Sequence, residues 1–288
     1  MVHAADPNES HSRIAALFEA RCGFGQAVQY DRLSAWLGDR SPLEQAMLAE
    51  RLAATDEQDP VWQTLIEAML VHETYFYRHP DQLEVFANEV IPVLMRLVQT
   101  ESRPPRVWCA GCSTGEEAYT LAFLLRDARC PAQIMATDLS AEAVAVARAG
   151  VYRRRPGLNS FRAIPGHAWR HFEAARAEPE CWTVTASIRQ MVDFSVRNLM
   201  APQPAGFSAD LISCRNTLIY FGPSGLRQVE TTLVGAARPG TVLLLGPAER
   251  LRHTDVFLPM TRSNPQVLQW PLHGPLHGFP HGPAGEIR

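Results

Sequence analysis

Residues 106–117, R-V-W-C-A-G-C-S-T-G-E-E, decide the fold class of this chain. The stretch begins with a short apolar run that predicts a buried strand, and small residues then continue to Gly115. After Gly115, apolar residues recur every three or four positions, at Ala118, Leu121, Ala122 and Leu125. A strand that turns through small side chains into an amphipathic helix lets a ligand approach the backbone. The stretch therefore predicts an α/β domain with a ligand site at this turn.

An acidic residue downstream indicates a nucleoside ligand. Asp138 follows the apolar run at residues 134–136, 27 residues after Gly111, and an acid at the end of the second strand can bind ribose hydroxyls. Glu116 and Glu117 put negative charge where a pyrophosphate would need helix amides, so the pattern favours the sulfonium cation of S-adenosylmethionine. By itself the pattern is shared by dinucleotide enzymes, methyltransferases and plain α/β turns.

The same turn contains a W-C-x-x-C sequence at residues 108–112, the form of a thioredoxin-type redox site. The other cysteines are single residues without a regular spacing: Cys22, Cys130, Cys181 and Cys214. A zinc site needs a second ligand pair at a fitting distance, and none is evident. We therefore expect both thiols to be small residues of the turn, and we expect no metal.

Composition argues against several classes of protein. The chain has 288 residues, 46% of them hydrophobic, and a formal net charge of −3. No apolar run is long enough to span a bilayer, and the first residues lack the basic start and apolar stretch of a secretory signal. We expect a cytoplasmic protein with reduced thiols, no nucleic-acid partner and no direct membrane insertion.

Changes of pattern along the chain suggest its domains. We expect a helical N-terminal domain at 1–78, a linker helix at 79–103, an α/β domain at 104–272 with a small β insertion at about 153–190, and a tail at 273–288. The tail is rich in proline, glycine and histidine, so it is predicted to be disordered.

Alternating strands and helices in the α/β domain predict a parallel sheet with helices on both faces. The expected strands are 106–110, 132–137, 183–188, 191–194, 209–213 and 241–245. The expected helices are 115–128, 140–149 and 224–236. Residues 257–260 and 266–270 are expected to pair as a closing hairpin.

Four segments together resemble the CheR-type chemotaxis receptor methyltransferases. They are H-E-T-Y-F-Y-R at 72–78, W-C-A-G-C-S-T-G-E-E at 108–117, F-S-V-R-N-L at 194–199 and C-R-N-T-L-I-Y-F at 214–221. The resemblance implies a class I S-adenosylmethionine-dependent methyltransferase fold, with a Rossmann-like and mostly parallel sheet, preceded by a small all-helical domain. It also implies a protein-glutamate O-methyltransferase that modifies chemoreceptor methylation helices, for signal adaptation in chemotaxis or a related chemosensory pathway.

The resemblance also implies roles for individual residues. Asp138 would bind the ribose hydroxyls, and Arg78 and Tyr220 would lie near the transferred methyl group as catalytic residues. The expected cofactor-binding residues are His72, Thr74, Arg78, Gly111, Glu117, Asp138, Asn198, Leu199, Arg215 and Asn216. Without the resemblance, we would expect Arg78 to pair with an acid such as Asp81, and Tyr220 to be a core aromatic residue.

The sequence departs from the family pattern at three places. His72 stands where asparagine is usual, residues 73–75 replace a more apolar spacing, and residues 246–249 read G-P-A-E where G-H-S-E is usual. These departures leave open a cofactor-binding relative that is weakly active or inactive and has a regulatory role. A methyltransferase acting on a different protein or a small molecule is the other alternative.

The segment that is expected to contact the receptor has no net positive charge. Residues 29–51 correspond to the basic second helix of the family, yet they hold four acidic residues against three arginines. We therefore expect little electrostatic steering towards an acidic receptor helix through this segment. The arginine run at 153–155 is either a solvated loop or an alternative docking surface, for the receptor or for other chemosensory proteins.

Overall fold

The computed structural model describes residues 7–154, 159–174 and 178–272. The predicted tail at 273–288 and Arg155 lie outside the described residues. Among the helices that are described, none is long and apolar enough to cross a membrane.

A helical unit precedes the sheet. It comprises α1 (Pro7–Cys22), α2 (Gln26–Leu37), α3 (Pro42–Ala54) and α4 (Pro60–Met69). Local sequence sets two of the helix starts: Ser41 and Glu44 form a capping box at α3, and the Asp59 carboxylate accepts a hydrogen bond from the Val61 amide at α4. The apolar faces meet around the fully buried Trp62, so the unit has a core of its own.

A continuous helical segment then leads to the sheet. Helix α5 (Pro80–Val85) passes through a π-helical turn (Phe86–Val90) into α6 (Ile91–Glu101). Ile91 and Leu94 pack into the core beside the first strand, so the predicted linker helix covers part of the sheet.

The central sheet has seven strands in the order β6-β2-β1-β7-β8-β10-β9. The strands are β1 (Arg106–Ala110), β2 (Gln133–Asp138), β6 (Val192–Val196), β7 (Leu211–Cys214), β8 (Val242–Leu245), β9 (Leu258–Pro259) and β10 (Val267–Gln269). The first five in this order pair in parallel, and β10 pairs antiparallel with both β8 and β9. This confirms the mostly parallel sheet and the closing hairpin.

Helices cover both faces of this sheet. Val107 and Cys109 of β1 pack in one core with α7 (Glu116–Asp127) and α8 (Ala141–Ala149). Trp108 and Ala110, which alternate with them, pack in a second core with α10 (Pro223–Gly235). Because β1, β2 and β7 are parallel neighbours, their carboxyl ends lie at one edge of the sheet, where the loops before α7 and α8 begin.

The β insertion corrects one predicted strand. It is an antiparallel sheet in the order β3-β5-β4, formed by β3 (Val151–Arg153), β4 (Phe172–Ala174) and β5 (Cys181–Val184). The strand expected at 183–188 was wrong, because the chain leaves β5 at Val184 and forms α9 (Ala186–Arg189). The turn at Thr185, whose amide bonds to the His171 carbonyl, lets Ile188 become fully buried.

Candidate functional site

One pocket lies where the carboxyl ends of the parallel strands meet the helical unit. Its sheet side includes residues that follow β1, β2, β6 and β7, and its helical side includes the segment after α4. Every residue predicted for the site lines this pocket: His72, Thr74, Arg78, Gly111, Glu117, Asp138, Asn198, Leu199, Arg215, Asn216 and Tyr220. The structure thus brings together residues that are up to half the chain apart.

The turn after β1 requires a glycine. Gly111 has a φ of +80°, and a Cβ at this position would lie 2.5 Å from the Thr217 hydroxyl oxygen. The Gly111 and Cys112 amides both donate to the Thr137 carbonyl, at 2.8 and 3.0 Å, which ties the turn to β2. Ser113 lies in the lining of the pocket, and its buried hydroxyl has no hydrogen-bond partner within the described ranges of the chain.

The Asp138 carboxylate is fixed by backbone donors on both sides. Its Oδ2 accepts from the Ser113 amide at 2.6 Å, and its Oδ1 accepts from the Ser140 amide at 3.0 Å. Burial raises the pKa of Asp138 above its ordinary value, although these two amides act in the opposite direction. Each oxygen keeps capacity for a further donor, as binding of ribose hydroxyls requires.

Glu117 and Arg215 form a buried ion pair. Arg215 Nη1 lies 3.3 Å from Glu117 Oε2, and the Ser213 hydroxyl donates to Glu117 Oε1 at 2.6 Å. Arg215 also donates to Gln82 Oε1 and to the Arg78 carbonyl, each at 2.5 Å. Three nitrogens of the Arg215 guanidinium are thus bound by protein atoms. This arginine holds the segment that carries Arg78.

Arg78 is held at the pocket without a carboxylate partner among the described residues. Its Nη1 donates to the Glu73 carbonyl at 2.6 Å, and its guanidinium lies 5.8 Å from the centre of the Tyr75 ring. Its Nε is buried with no hydrogen-bond partner. The alternative in which Arg78 pairs with Asp81 is therefore absent here, and the guanidinium keeps donor capacity.

The helical unit is hydrogen-bonded to the other walls. The Gly25 amide donates to the Tyr220 carbonyl at 2.9 Å, and the Gly222 amide donates to the Gly23 carbonyl at 2.9 Å. The Asn198 side chain donates to the Arg21 carbonyl at 2.9 Å. The half-buried Tyr220 ring lies 6.2 Å from the Phe24 ring, and burial raises the pKa of its phenol. The turn between α1 and α2 therefore positions Tyr220.

Comparison with known proteins decides the family. The family described as CheR methyltransferase, SAM binding domain, matches residues 72–265, which is more than half of the chain. This chain belongs to the CheR methyltransferase family. It is an S-adenosylmethionine-dependent methyltransferase.

Three relatives carry related names. Chemotaxis protein methyltransferase 1 of Pseudomonas aeruginosa is 27% identical over 91% of this chain and 97% of that protein. Chemotaxis protein methyltransferase of Vibrio parahaemolyticus is 30% identical over 70% of this chain and 74% of that protein. Probable biofilm formation methyltransferase WspC of Pseudomonas putida is 36% identical over 68% of this chain and 45% of that protein.

The pocket of this CheR family member suits its cofactor chemically. Ser113 Oγ and the Nε atoms of Arg78 and Arg197 are buried polar atoms that find no hydrogen-bond partner among the residues the structure describes, as expected where a polar ligand binds. Asp138 and Glu117 supply the negative charge that a sulfonium cation favours. His72 also lines the pocket, with its Nε2 at 3.6 Å from Glu67 Oε2.

Glu249 supports the site in a way that sequence reasoning missed. Its Oε2 accepts from the Gly246 and Asn216 amides at 2.6 and 2.8 Å, and its Oε1 accepts from the Thr217 and Leu218 amides at 2.7 and 2.6 Å. The carboxylate thus fixes the loop that carries Asn216. The departures from the family pattern at Pro247 and Ala248 leave this glutamate in place.

The two cysteines of the turn are unsuited to nucleophilic chemistry. Cys109 and Cys112 are both buried with free thiols. Burial raises the pKa of each thiol well above its ordinary value, and the nearby Glu117 and Asp138 act in the same direction. Both residues serve here as small apolar side chains of the strand and turn.

Proposed function

We propose that this enzyme transfers the methyl group of S-adenosylmethionine to glutamate side chains of a chemoreceptor, as a protein-glutamate O-methyltransferase. One observation carries the proposal. A single pocket combines two carboxylates on its sheet side, Asp138 and Glu117, with the guanidinium of Arg78 on its helical side, for which the described part of the chain offers no carboxylate partner. A cationic cofactor and an anionic substrate group fit these two charges respectively.

In this proposal the cofactor supplies an electrophilic methyl group on a sulfonium. Asp138 binds the ribose hydroxyls, and the residue pairs Asn198-Leu199 and Arg215-Asn216 flank the adenine and methionine portions. His72 and Thr74 line the helical side of the pocket and would hold the cofactor from there, and Gly111 and Glu117 would hold it from the sheet side.

The substrate carboxylate needs no general base, because a glutamate is ionised at neutral pH. The planar guanidinium of Arg78 holds one carboxylate oxygen through the donors it has left, so that the other oxygen is directed at the methyl group. We assign to Tyr220 a hydrogen bond that holds substrate or cofactor. Catalysis is then mainly by proximity and orientation.

We also propose which parts of the chain build the pocket. The helical domain at 1–78 supplies one wall of the pocket and the methyltransferase domain at 104–272 supplies the other, while the linker helix at 79–103 contributes no residue to the lining. The names of the relatives cover both chemotaxis and biofilm formation, so the receptor is proposed only as one of a chemosensory pathway.

Docking through the helical domain is weak in this proposal. Arg32 donates to the Ala68 and Leu70 carbonyls, and Arg40 donates to the Trp36 and Leu37 carbonyls, so both guanidinium groups cap helix ends. Arg154 is exposed, and Arg153 forms an exposed ion pair with Glu178. Because residues 29–51 hold four acidic residues against three arginines, we propose that the enzyme either recognises a less acidic methylation helix or docks through the β insertion around Arg153 and the exposed Arg154.

A labelling experiment tests the reaction. Purified enzyme is incubated with cofactor labelled on its methyl group and with membranes that contain the chemoreceptors of the same cell. We expect one or a few receptor bands to carry label that mild alkali releases, because the product is a methyl ester. Label that resists alkali would indicate N-methylation and would refute carboxylate chemistry.

A further inference from the structure

The side chain of Glu67, in the helical unit, accepts hydrogen bonds from the methyltransferase domain. Glu67 lies on α4, with its side chain only 15% exposed. Its Oε2 accepts from the Ser140 hydroxyl at 2.6 Å, and its Oε1 accepts from the Glu142 amide at 3.2 Å. Ser140 and Glu142 form the N-terminal end of α8, so the contact joins two parts of the chain with separate cores.

This contact is chemically specific. The first amides of a helix lack partners within the helix, and a carboxylate there is favoured by the helix dipole. Ser140 already caps α8, because its hydroxyl oxygen accepts from the Ala143 amide at 2.8 Å. Its hydroxyl proton is therefore available to Glu67. Glu67 acts as a second helix cap that is supplied by another domain.

The capped turn is also the turn that holds Asp138. The Ser140 amide donates to Asp138 Oδ1 at 3.0 Å, so Glu67, Ser140 and Asp138 form a continuous chain of hydrogen bonds. On the other side, α4 ends at Met69, and the residues that follow it include the pocket residues His72 and Thr74. Glu67 thus joins the two walls that face each other across the pocket.

We infer that Glu67 is a positioning residue for the cofactor, which sets the separation of the two walls and the orientation of Asp138. The inference rests on the proposed function in that Asp138 is taken to bind the cofactor. Because Glu67 is absent from the pocket lining, it acts through Ser140 and through the segment after α4. A simple stabilising role would lower the unfolding temperature without a specific loss of cofactor affinity.

Calorimetric binding of S-adenosylhomocysteine, the demethylated product, tests this inference without methyl transfer. The variants are Glu67→Ala, Ser140→Ala and the double variant, and the control is Glu50→Gln, an exposed glutamate of the same unit that pairs with Arg13. We expect Glu67→Ala to weaken binding about tenfold, the scale of one charged hydrogen bond. The double variant should bind no more weakly than the weaker single variant. Glu50→Gln should bind as the wild type does.

Two further measurements separate positioning from stability. The KM for S-adenosylmethionine should rise by the same factor in Glu67→Ala, with kcat at saturating cofactor changed by less than about twofold. Amide hydrogen exchange at residues 138–143 should be faster in the ligand-free variant and should slow again when the product is bound.

The contrary outcomes are distinct. Wild-type affinity in Glu67→Ala, or additive losses in the double variant, would overturn the inference and leave the proposed function intact. A lower unfolding temperature in Glu67→Ala with unchanged affinity would reduce Glu67 to a structural cap. If the wild-type enzyme itself failed to bind the product, the proposed function would fall and the inference with it.

Discussion

Replacing Glu249 by glutamine is the sharpest test of how the site is built. Glu249 is 4% exposed, and its carboxylate accepts four short backbone hydrogen bonds of 2.6 to 2.8 Å, two on each oxygen, and a longer one of 3.4 Å from the Ile219 amide to Oε1. Glutamine keeps the shape of the side chain and one acceptor oxygen. Its amide nitrogen would replace one carboxylate oxygen and would face the N–H donors that this oxygen now accepts. Either the Thr217 and Leu218 amides or the Asn216 and Gly246 amides would then lose their acceptor.

The magnitude follows from these contacts. Hydrogen bonds to a charged group contribute about 1.5 to 3 kcal/mol each, so loss of two sets an upper range of about 3 to 6 kcal/mol. Relaxation of the loop towards solvent recovers part of this cost, and we expect the free energy of unfolding to fall by about 3 kcal/mol. For a chain of this size, about 2 to 4 °C per kcal/mol gives a drop in unfolding temperature of about 6 to 12 °C.

The same substitution should weaken cofactor binding, because Asn216 and Thr217 line the pocket. Thermal unfolding and calorimetry with S-adenosylhomocysteine measure the two effects. Glu230→Gln is the matched control, since Glu230 is 1% exposed and accepts the Arg252 and His253 amides at 2.8 and 2.7 Å, away from the pocket. The control should lose stability and keep its affinity. A Glu249→Gln variant with unchanged affinity, or with stability within about 0.5 kcal/mol of the wild type, the range of an ordinary surface substitution, would refute the reasoning.

Three further outcomes are expected. Arg78→Ala should lower turnover by far more than it lowers stability. Arg78→Lys should restore only part of the turnover, because lysine lacks the planar guanidinium fork. Equal turnover in Arg78→Lys and the wild type would contradict this role. Burial raises the pKa of Asp138, so its carboxylate takes up a proton at a pH above the ordinary aspartate pKa of ~3.9. In calorimetry, the affinity for S-adenosylhomocysteine should therefore begin to fall at a pH higher than ~3.9 as the solution is acidified. The Asp138→Asn variant should bind weakly and show little pH dependence. Burial opposes ionisation of Asp210, yet Arg103, the Arg106 amide and Arg238 hold its pKa below the ordinary value. Asp210→Asn should therefore lower the free energy of unfolding by about 3 to 5 kcal/mol at neutral pH. This difference should be complete above the ordinary aspartate pKa and should disappear as the pH falls through the lowered pKa of Asp210.

The fold was predictable because its signals are local. The strand and turn of residues 106–115 and the periodic apolar positions of α7 are contiguous in sequence, and the observed elements begin and end within one or two residues of those expected there. The strand predicted at 183–188 failed for a tertiary reason. Four of its six residues, Thr183, Val184, Thr185 and Ile188, are β-branched and favour a strand, and the contact of Thr185 with His171 and the burial of Ile188 decide that the chain turns.

The supporting residues of the site were not predictable in this way. The motif resemblance collected the residues that line the pocket, since these lie in short recognisable segments. Glu67 and Glu249 act through hydrogen bonds to segments distant in sequence, at Ser140 and at residues 216–218. The family pattern at 246–249 includes Glu249, but neither that pattern nor any periodicity shows which backbone amides folding brings beside a glutamate.

The arrangement of charge around the pocket follows from the two ligands that the proposed reaction must bring together. A sulfonium and a carboxylate have opposite charges, so a pocket of one sign would favour one ligand and repel the other. Here Glu117 is paired with Arg215, which reduces its field, while Asp138 has only neutral backbone donors among its hydrogen-bond partners. The charge available to the cofactor is therefore concentrated at Asp138, on the sheet side. On the helical side we assign the charge available to the substrate to Arg78, because the Arg215 guanidinium is committed to protein atoms and Arg197 belongs to the sheet side, after β6. Two separated charges on opposite walls can orient both ligands, whereas an ion pair between Asp138 and Arg78 would leave neither available.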